Sequence, residues 1–195
     1  MRLSFNSDPG KHGDEKRRST SHAHDSDWEE RGGGGTVKVL LVYYSRSGIT
    51  RSLSLQLGEL LGADVEEIQD MSSRKGVVGF MRSGYQALRK RGAMIGDLAK
   101  TPEDYDVVVV GTPIWAERMA SPVRAYLERV RGLIPSGAFF CTSQSGGYAS
   151  VLEGMADVAG CEMQASLSVT QKQVESGNGL ELLTAFVEQV NAKVR

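Results

Sequence analysis

The chain has 195 residues, which suits one domain of ordinary size with a short extension. Its 23 Lys and Arg residues nearly balance 24 Asp and Glu residues, so charge gives no reason to expect a nucleic-acid or anionic-membrane partner. The two cysteines, Cys141 and Cys161, have neither zinc-site nor disulfide-framework spacing, and no apolar run approaches the ~20 residues of a membrane span, so we predict a cytoplasmic protein.

Residues 1–35 differ in composition from the rest of the chain. Charged residues, Ser and His dominate there, and almost nothing could bury apolar surface to offset the entropy of ordering. We predict a disordered polar tail ending in a four-glycine hinge at 32–35, followed by one domain over 36–195. The tail holds all three histidines (His12, His22 and His24). The domain alone therefore cannot form a Ser-His-Asp triad or a His-ligated metal site, and we predict neither catalytic side chains nor a metal.

Beyond the hinge, short apolar runs alternate with amphipathic helical patterns, which is typical of a parallel sheet built from βαβ units. The predicted strands lie near 37–44, 64–68, 106–111, 137–142 and 162–169. The predicted helices cover about 50–61, 76–91, 121–131 and 179–193. The predicted fold class is therefore α/β, a doubly wound five-stranded parallel sheet with helices on both faces.

Two helices carry more detailed predictions. The first should bury a stripe of Leu53, Leu57, Leu60 and Leu61 and end at Gly62. The helix over 121–131 should have Ser121 as its capping hydroxyl and Pro122 at its first position.

The most informative segment, 44–50, lies between the first strand and the first helix and carries hydroxyls at Ser45, Ser47 and Thr50. A helix N-terminus offers free N–H groups and a positive dipole end, so a phosphate there could gain both N–H and hydroxyl bonds. Gly48 would let the backbone turn around the anion. The alternative is that the hydroxyls only cap the helix. The lysine of a triphosphate loop is missing, so a single phosphate, as in a mononucleotide, suits this loop better.

Here the sequence resembles the flavodoxin family, whose first loop has the pattern Ser/Thr-x-Ser/Thr-Gly-x-Thr. The resemblance implies the strand order 2-1-3-4-5 and an FMN cofactor whose phosphate this loop holds. Arg46 could add a charge-assisted contact or point to solvent. The implied phosphate-binding residues are Ser45, Arg46, Ser47, Gly48, Ile49 and Thr50.

A second matching loop, 110–115, follows the third predicted strand. The first and third strands flank the crevice in which this fold class binds ligands, and related proteins carry Gly-x-Pro-x-Trp there, lining the isoalloxazine. The residues implied are Thr112, Pro113, Ile114 and Trp115. The alternative is that Trp115 is a core residue. Residues 116–119 (Ala-Glu-Arg-Met) depart from the small or glycine residues of relatives.

A third loop, 142–148, follows the fourth predicted strand and contains two glycines that permit close approach of the main chain to a ring. In flavodoxin-like proteins it borders the flavin, and Tyr148 could either stack on the ring or cap the next helix. The residues implied are Ser143, Gly146, Gly147 and Tyr148.

The resemblance implies electron transfer through bound FMN, as a carrier or as a small oxidoreductase such as an NAD(P)H:quinone reductase. The implied partners are a redox protein or a quinone-type small molecule, with NAD(P)H as a candidate donor, and the protein would be a monomer or homodimer. Near-neutral charge favours the oxidoreductase. The alternative is a flavin-free interaction or regulatory module. The basic residues of 76–91 form either a positive patch or a solvated helix face.

Overall fold

The computed structural model describes residues 37–71, 93–177 and 179–192. The helix predicted over 76–91, with its basic residues, lies outside these ranges, as does the tail predicted over 1–35. Within the described residues, no helix combines the length and hydropathy that a bilayer crossing requires.

The described residues form strands and helices in near-regular alternation. The strands are β1 (Val39–Tyr43), β2 (Asp64–Glu67), β3 (Val107–Trp115), β4 (Arg118–Met119), β5 (Gly137–Ser143) and β6 (Met163–Thr170). The helices are α1 (Ile49–Leu61), α2 (Ser121–Arg129), α3 (Ala149–Ala159), α4 (Gln171–Ser176) and α5 (Leu180–Ala192), with a short 3₁₀ helix over Pro102–Asp104.

The main sheet has the strand order β2-β1-β3-β5-β6, and all of these neighbours are parallel. The short strand β4 lies off this path and pairs with the end of β3 in an antiparallel hairpin. Without β4, the order is the predicted 2-1-3-4-5, so the predicted doubly wound α/β fold is confirmed. Its strand order reverses between β1 and β3, which are the strands that flank ligand crevices in this fold class.

The core consists of two apolar layers, one on each face of the sheet. Successive residues of a strand point to opposite faces, so Leu40 and Val42 pack with α2 and α3, whereas Val39 and Leu41 pack with α1 and α5. β1 is buried along its whole length, as expected for a parallel strand covered on both faces.

Helix α1 packs through Leu53, Leu57 and Leu61, spaced four residues apart on one face. It ends at Gly62, whose left-handed backbone (φ 60°) closes the last turn, as the sequence predicts. The prediction that Leu60 joins this buried stripe is wrong, because its side chain is 49% exposed.

The structure corrects other boundaries. The third strand does not end at residue 111 but continues to Trp115, so residues 112–115 belong to a strand rather than a loop. Ser121 does not cap α2, because Ala120 is the capping residue and no side chain makes a cap hydrogen bond. Helix α4 was not predicted, although Thr170 and Gln173 form the reciprocal capping box at its start.

Candidate functional site

The segments predicted to bind a ligand come together at the carboxyl edge of β1, β3 and β5. The backbone N–H of Tyr44, just after β1, donates to the carbonyl oxygen of Gly111 at 3.2 Å. The hydroxyls of Thr50, in α1, and Thr142, in β5, form a buried hydrogen bond of 2.8 Å. The segment 44–50 is therefore linked to both β3 and β5.

The turn that opens α1 leaves the helix N-terminus available to a ligand. Gly48 is the N-cap residue with φ 94°, a left-handed conformation that glycine adopts without strain. Its N–H is held by Ser45 Oγ at 3.1 Å, and the first helical turn contains no acidic side chain. No side chain makes a cap hydrogen bond at the start of α1, so the hydroxyls here do not act as ordinary helix caps. Free N–H groups and a positive dipole end remain, as an anion requires.

The three hydroxyls of this turn have different environments. Thr50 is 2% exposed and is bound to Thr142. Ser45 is half-buried and accepts the Gly48 N–H, whereas Ser47 is exposed and has no hydrogen bond to any residue of the described part of the chain. Ser47 is thus the hydroxyl that is free to meet a ligand without giving up a protein contact.

Two arginines lie near this turn, and only one is engaged in an ion pair. Arg51 bonds Glu67 on β2 at 2.6 Å, which holds its charge beside that carboxylate. Arg46 forms no ion pair with any described residue, and its guanidinium carbon lies 5.7 Å from the ring centroid of Trp115, within cation–π range. Arg46 is therefore exposed, and its guanidinium lies over an aromatic ring. This position is intermediate between the two alternatives given above, a charge-assisted contact with the phosphate and an orientation toward solvent.

Trp115 provides an apolar wall at the end of β3. It is 36% exposed, so the alternative of a core tryptophan is wrong. The ring of Tyr44 meets it edge to face, with centroids 5.6 Å apart and planes at 88°. Burial raises the pKa of Tyr44, with the Asp70 carboxylate as the next cause, so its phenol is neutral at physiological pH. Sequence reasoning missed Tyr44 as part of the site, although its place directly before the hydroxyl-rich turn was a signal.

A tight two-residue turn joins β3 to β4. Ala116 (φ 46°) and Glu117 (φ 60°) are the two non-glycine residues with left-handed backbone among those described. Consecutive positive φ values are typical of a type I′ hairpin turn, where Asn and Gly are preferred. The turn is therefore strained, and it sits next to Trp115.

The segment after β5 is more open. Ser143, the last residue of β5, donates its hydroxyl to the Ser145 carbonyl, and the Ser145 and Tyr148 hydroxyls lie 3.1 Å apart. A Cβ added at Gly146 or Gly147 would meet nothing within 4 Å, so a planar group has room to approach the main chain there. Tyr148 is the N-cap residue of α3 but makes no side-chain cap bond. Its stacking role stays a prediction.

Gly111 explains how the strand ends can meet so closely. It pairs with Tyr43 on β1 and with Phe140 on β5. A Cβ at this position would lie 2.1 Å from Phe140 Cζ, so only glycine leaves room for that buried ring. The strand that carries Trp115 therefore depends on a residue without a side chain.

Fold and site together define a doubly wound α/β protein with an uncapped, acid-free helix N-terminus beside a partly exposed tryptophan. A family model described as flavodoxin matches residues 38–158, which is more than half of the 195-residue chain. The chain belongs to the flavodoxin family, as its first loop suggested.

Solved structures share this fold at low sequence identity. A flavoprotein in complex with FMN from Lactobacillus acidophilus NCFM is 18% identical, with a TM-score of 0.52, and the match covers 72% of this chain and 97% of that one. A putative flavoprotein from Bacteroides uniformis ATCC 8492 is 16% identical, with a TM-score of 0.55 and coverage of 73% and 97%. An NADH:FMN oxidoreductase in its apo form is 15% identical, with a TM-score of 0.50 and coverage of 78% and 87%.

Proposed function

We propose that this protein binds one FMN non-covalently at the carboxyl edge of β1, β3 and β5 and transfers electrons through it. Membership of the flavodoxin family supports FMN as the cofactor. The observation that carries the proposal is that an uncapped, acid-free helix N-terminus lies beside the partly exposed Trp115, over whose ring Arg46 of the same turn is placed. FMN has a phosphate that would bind at the helix N-terminus and a flat ring that would pack against Trp115.

The residues present fit the cofactor by charge and by space. The phosphate would be held by the hydroxyls of Ser45, Ser47 and Thr50 and by the backbone N–H groups of 46–50, where the Gly48 N–H would exchange Ser45 Oγ for a phosphate oxygen. A Cβ at Gly48 would meet nothing within 4 Å, so the turn has an open side. Thr50 already bonds Thr142, which fixes the position of its hydroxyl oxygen before a ligand arrives.

The ring would lie against an apolar wall and beside an open main chain. Pro113, Ile114 and Trp115 would line the wall at the end of β3, and the backbone of 143–147 would face the polar edge of the ring. When bound, FMN supplies the redox chemistry itself, so the chain has only to bind, orient and tune it. Tyr44 holds Trp115 from the side, and Arg46 adds a positive charge next to the site.

The direct test is a titration of the purified full-length protein with FMN and, separately, with riboflavin, which lacks the phosphate. We expect FMN fluorescence to change on binding and its Kd to be about a hundredfold lower than that of riboflavin, because hydrogen bonds to a charged group contribute roughly 1.5–3 kcal/mol each. Equal affinities would refute the phosphate role of the α1 turn.

A charge placed in the turn gives a matched control. Ser47→Asp should weaken FMN binding strongly by repulsion, because Ser47 is exposed beside the free N–H groups. Ser166→Asp adds the same charge at an exposed position of the edge strand β6 and should leave the FMN Kd unchanged. A protein that binds no FMN at all would instead favour the flavin-free module.

Whether the protein is a carrier or an enzyme is a separate question. The near balance of 24 acidic and 23 basic residues favours a small oxidoreductase such as an NAD(P)H:quinone reductase over a carrier. Steady-state oxidation of NADH and NADPH with a quinone separates them. Turnover supports the enzyme, and its absence with both donors supports the carrier.

A further inference from the structure

A groove of about 440 Å³ opens beside the Trp115 hairpin, between the hairpin and helices α2 and α3. Its volume falls in the range of small-molecule sites, roughly 300–1,000 Å³. The lining includes Glu117, Arg118 and Met119 from the hairpin, Arg124 from α2, and Ser150 and Gly154 from α3. None of these residues is among those proposed to hold FMN.

The groove has uncommitted positive charge. Arg118 is exposed and forms no ion pair with any residue in the described ranges. Arg124 is paired only with Glu128, one turn further along α2, at 3.4 Å, and both side chains are about half exposed. Such a pair is weak in water and can be exchanged for a better partner. Glu117 is the one carboxylate in the lining, so cations outnumber anions there.

The pairing of the hairpin puts Arg118 beside the proposed flavin wall. Trp115 and Arg118 lie directly opposite each other across β3 and β4. Residues opposite each other in an antiparallel pair project from the same face, with Cβ atoms roughly 4.5–5.5 Å apart. A planar molecule lying over a ring held at Trp115 could therefore extend a substituent to Arg118.

We infer that this groove binds the anionic group of a planar redox substrate that reacts with FMN held at Trp115. The inference rests on the proposed function. The anion could be a phosphate of a nicotinamide dinucleotide donor or the sulfonate or carboxylate of a quinone acceptor. Either anion would form charge-assisted hydrogen bonds with Arg118 and Arg124, whereas a neutral quinone has no charge through which these arginines could increase its affinity.

Equilibrium binding to the FMN-saturated full-length protein tests the inference without relying on turnover. The probes are NADP⁺ and anthraquinone sulfonate, with neutral hydroxymethyl anthraquinone for comparison, measured by calorimetry at low and high salt. Arg118→Gln should raise the Kd of an anionic probe about fivefold, as expected for an exposed charge pair. Arg118→Lys should restore most of this affinity, and high salt should reduce the difference.

Neighbouring variants sharpen the test. Glu117→Gln removes the opposing carboxylate and should lower the same Kd, opposite in sign to Arg118→Gln. Gly154→Leu should block the groove, because a Cβ at Gly154 points into open space. Lys38→Gln removes one positive charge just before β1, at the opposite edge of the sheet, and should change nothing. The neutral probe should be insensitive to every charge variant.

An effect on the sulfonate alone identifies an acceptor, and an effect on NADP⁺ identifies a donor; either supports the inference. If Arg118→Gln and Glu117→Gln both bind the anionic probes like the wild type while FMN remains bound, the groove is not an anion site and the inference is wrong. If the wild type fails to bind FMN in the titration described under the proposed function, both proposals are wrong. This outcome differs from a failure of the groove proposal alone, because it is observed before any groove probe is added.

Discussion

The replacement Gly111→Ala adds only one methyl group, but it should destabilise the protein strongly. The new methyl carbon would lie 2.1 Å from Phe140 Cζ and 2.6 Å from Phe140 Cε1, about 1.4 Å inside an ordinary ~3.5 Å carbon contact. Phe140 is fully buried and is paired with Gly111 across β3 and β5, so its ring cannot move without disturbing the sheet. We expect a loss of about 3 kcal/mol, at the upper end of overpacking costs.

Urea unfolding followed by circular dichroism measures this loss, and a melting curve should show a Tm lower by roughly 6–12 °C for a domain of this size. Gly154→Ala is the matched control. It makes the same chemical change inside helix α3 with open space around the Cβ, and it should stabilise the protein by about 0.5–1 kcal/mol.

A double variant separates the steric explanation from a general intolerance of this strand. Gly111→Ala combined with Phe140→Leu should lose less than the sum of the two single changes, because the shorter side chain vacates the space. A Gly111→Ala protein within about 0.5 kcal/mol of wild type would contradict the packing described here.

Three further sets of variants test the core and the turn. Tyr126→Phe should raise the unfolding free energy by about 1 kcal/mol, because the buried hydroxyl has no partner among the described residues. Burial also raises the pKa of Tyr126, so above the ordinary tyrosine pKa of about 10 the unfolded state ionises while the folded state keeps the phenol neutral, and the protein loses stability as the pH rises. Urea unfolding at neutral and alkaline pH should therefore show a smaller alkaline loss in the variant. Gly48→Ala and Gly62→Ala place alanine at left-handed positions at the two ends of α1 and should each cost about 1 kcal/mol, but only the first should weaken FMN binding, by about tenfold. Thr142→Val should cost about 1–2 kcal/mol by leaving the buried Thr50 hydroxyl unpaired, and adding Thr50→Val should bring less than an additive further loss, as read from unfolding curves.

The fold could be predicted because the parallel strands are buried on both faces. Continuous apolar runs mark β1, β3 and β5 in the sequence, and the structure buries every residue of β1 and β5. The edge strand β2 was also predicted, although it has two glutamates and is only partly buried. The strand order came from the family resemblance, since local periodicity carries no information on which strands become neighbours.

The end of β3 could not be predicted, because Pro113 reads locally as a loop residue. Proline lacks an N–H for the ladder and is usually confined to strand ends or edges. Here β3 continues past Pro113 because the hairpin with β4 pairs Ile114 with Met119 and Trp115 with Arg118. Those pairings depend on a turn at residues 116 and 117 that no local pattern indicates, since neither residue is Gly or Asn.

The sequence predicts which residue types form the candidate site, but not which contact each of them makes. Three hydroxyls and a glycine between a strand and a helix indicate an anion site. Local sequence cannot tell that Thr50 bonds Thr142, which lies 92 positions further along the chain. Nor can it show that Arg51 is paired with Glu67 while Arg46 lies over Trp115. These are tertiary contacts between segments that neighbour each other only in the folded sheet.

The strained turn at Ala116 and Glu117 connects the two proposed sites. Left-handed backbone costs an L-residue roughly 1–2 kcal/mol, and Asn-Gly at the same two positions would form this turn without that cost. The turn determines which residues face each other across the hairpin, and thereby puts Arg118 opposite Trp115. It also places the Glu117 carboxylate in the groove, where it opposes the charge of Arg118. Strained backbone clusters at ligand-binding sites, so this turn fits the groove proposed beside Trp115 better than a hairpin without a function.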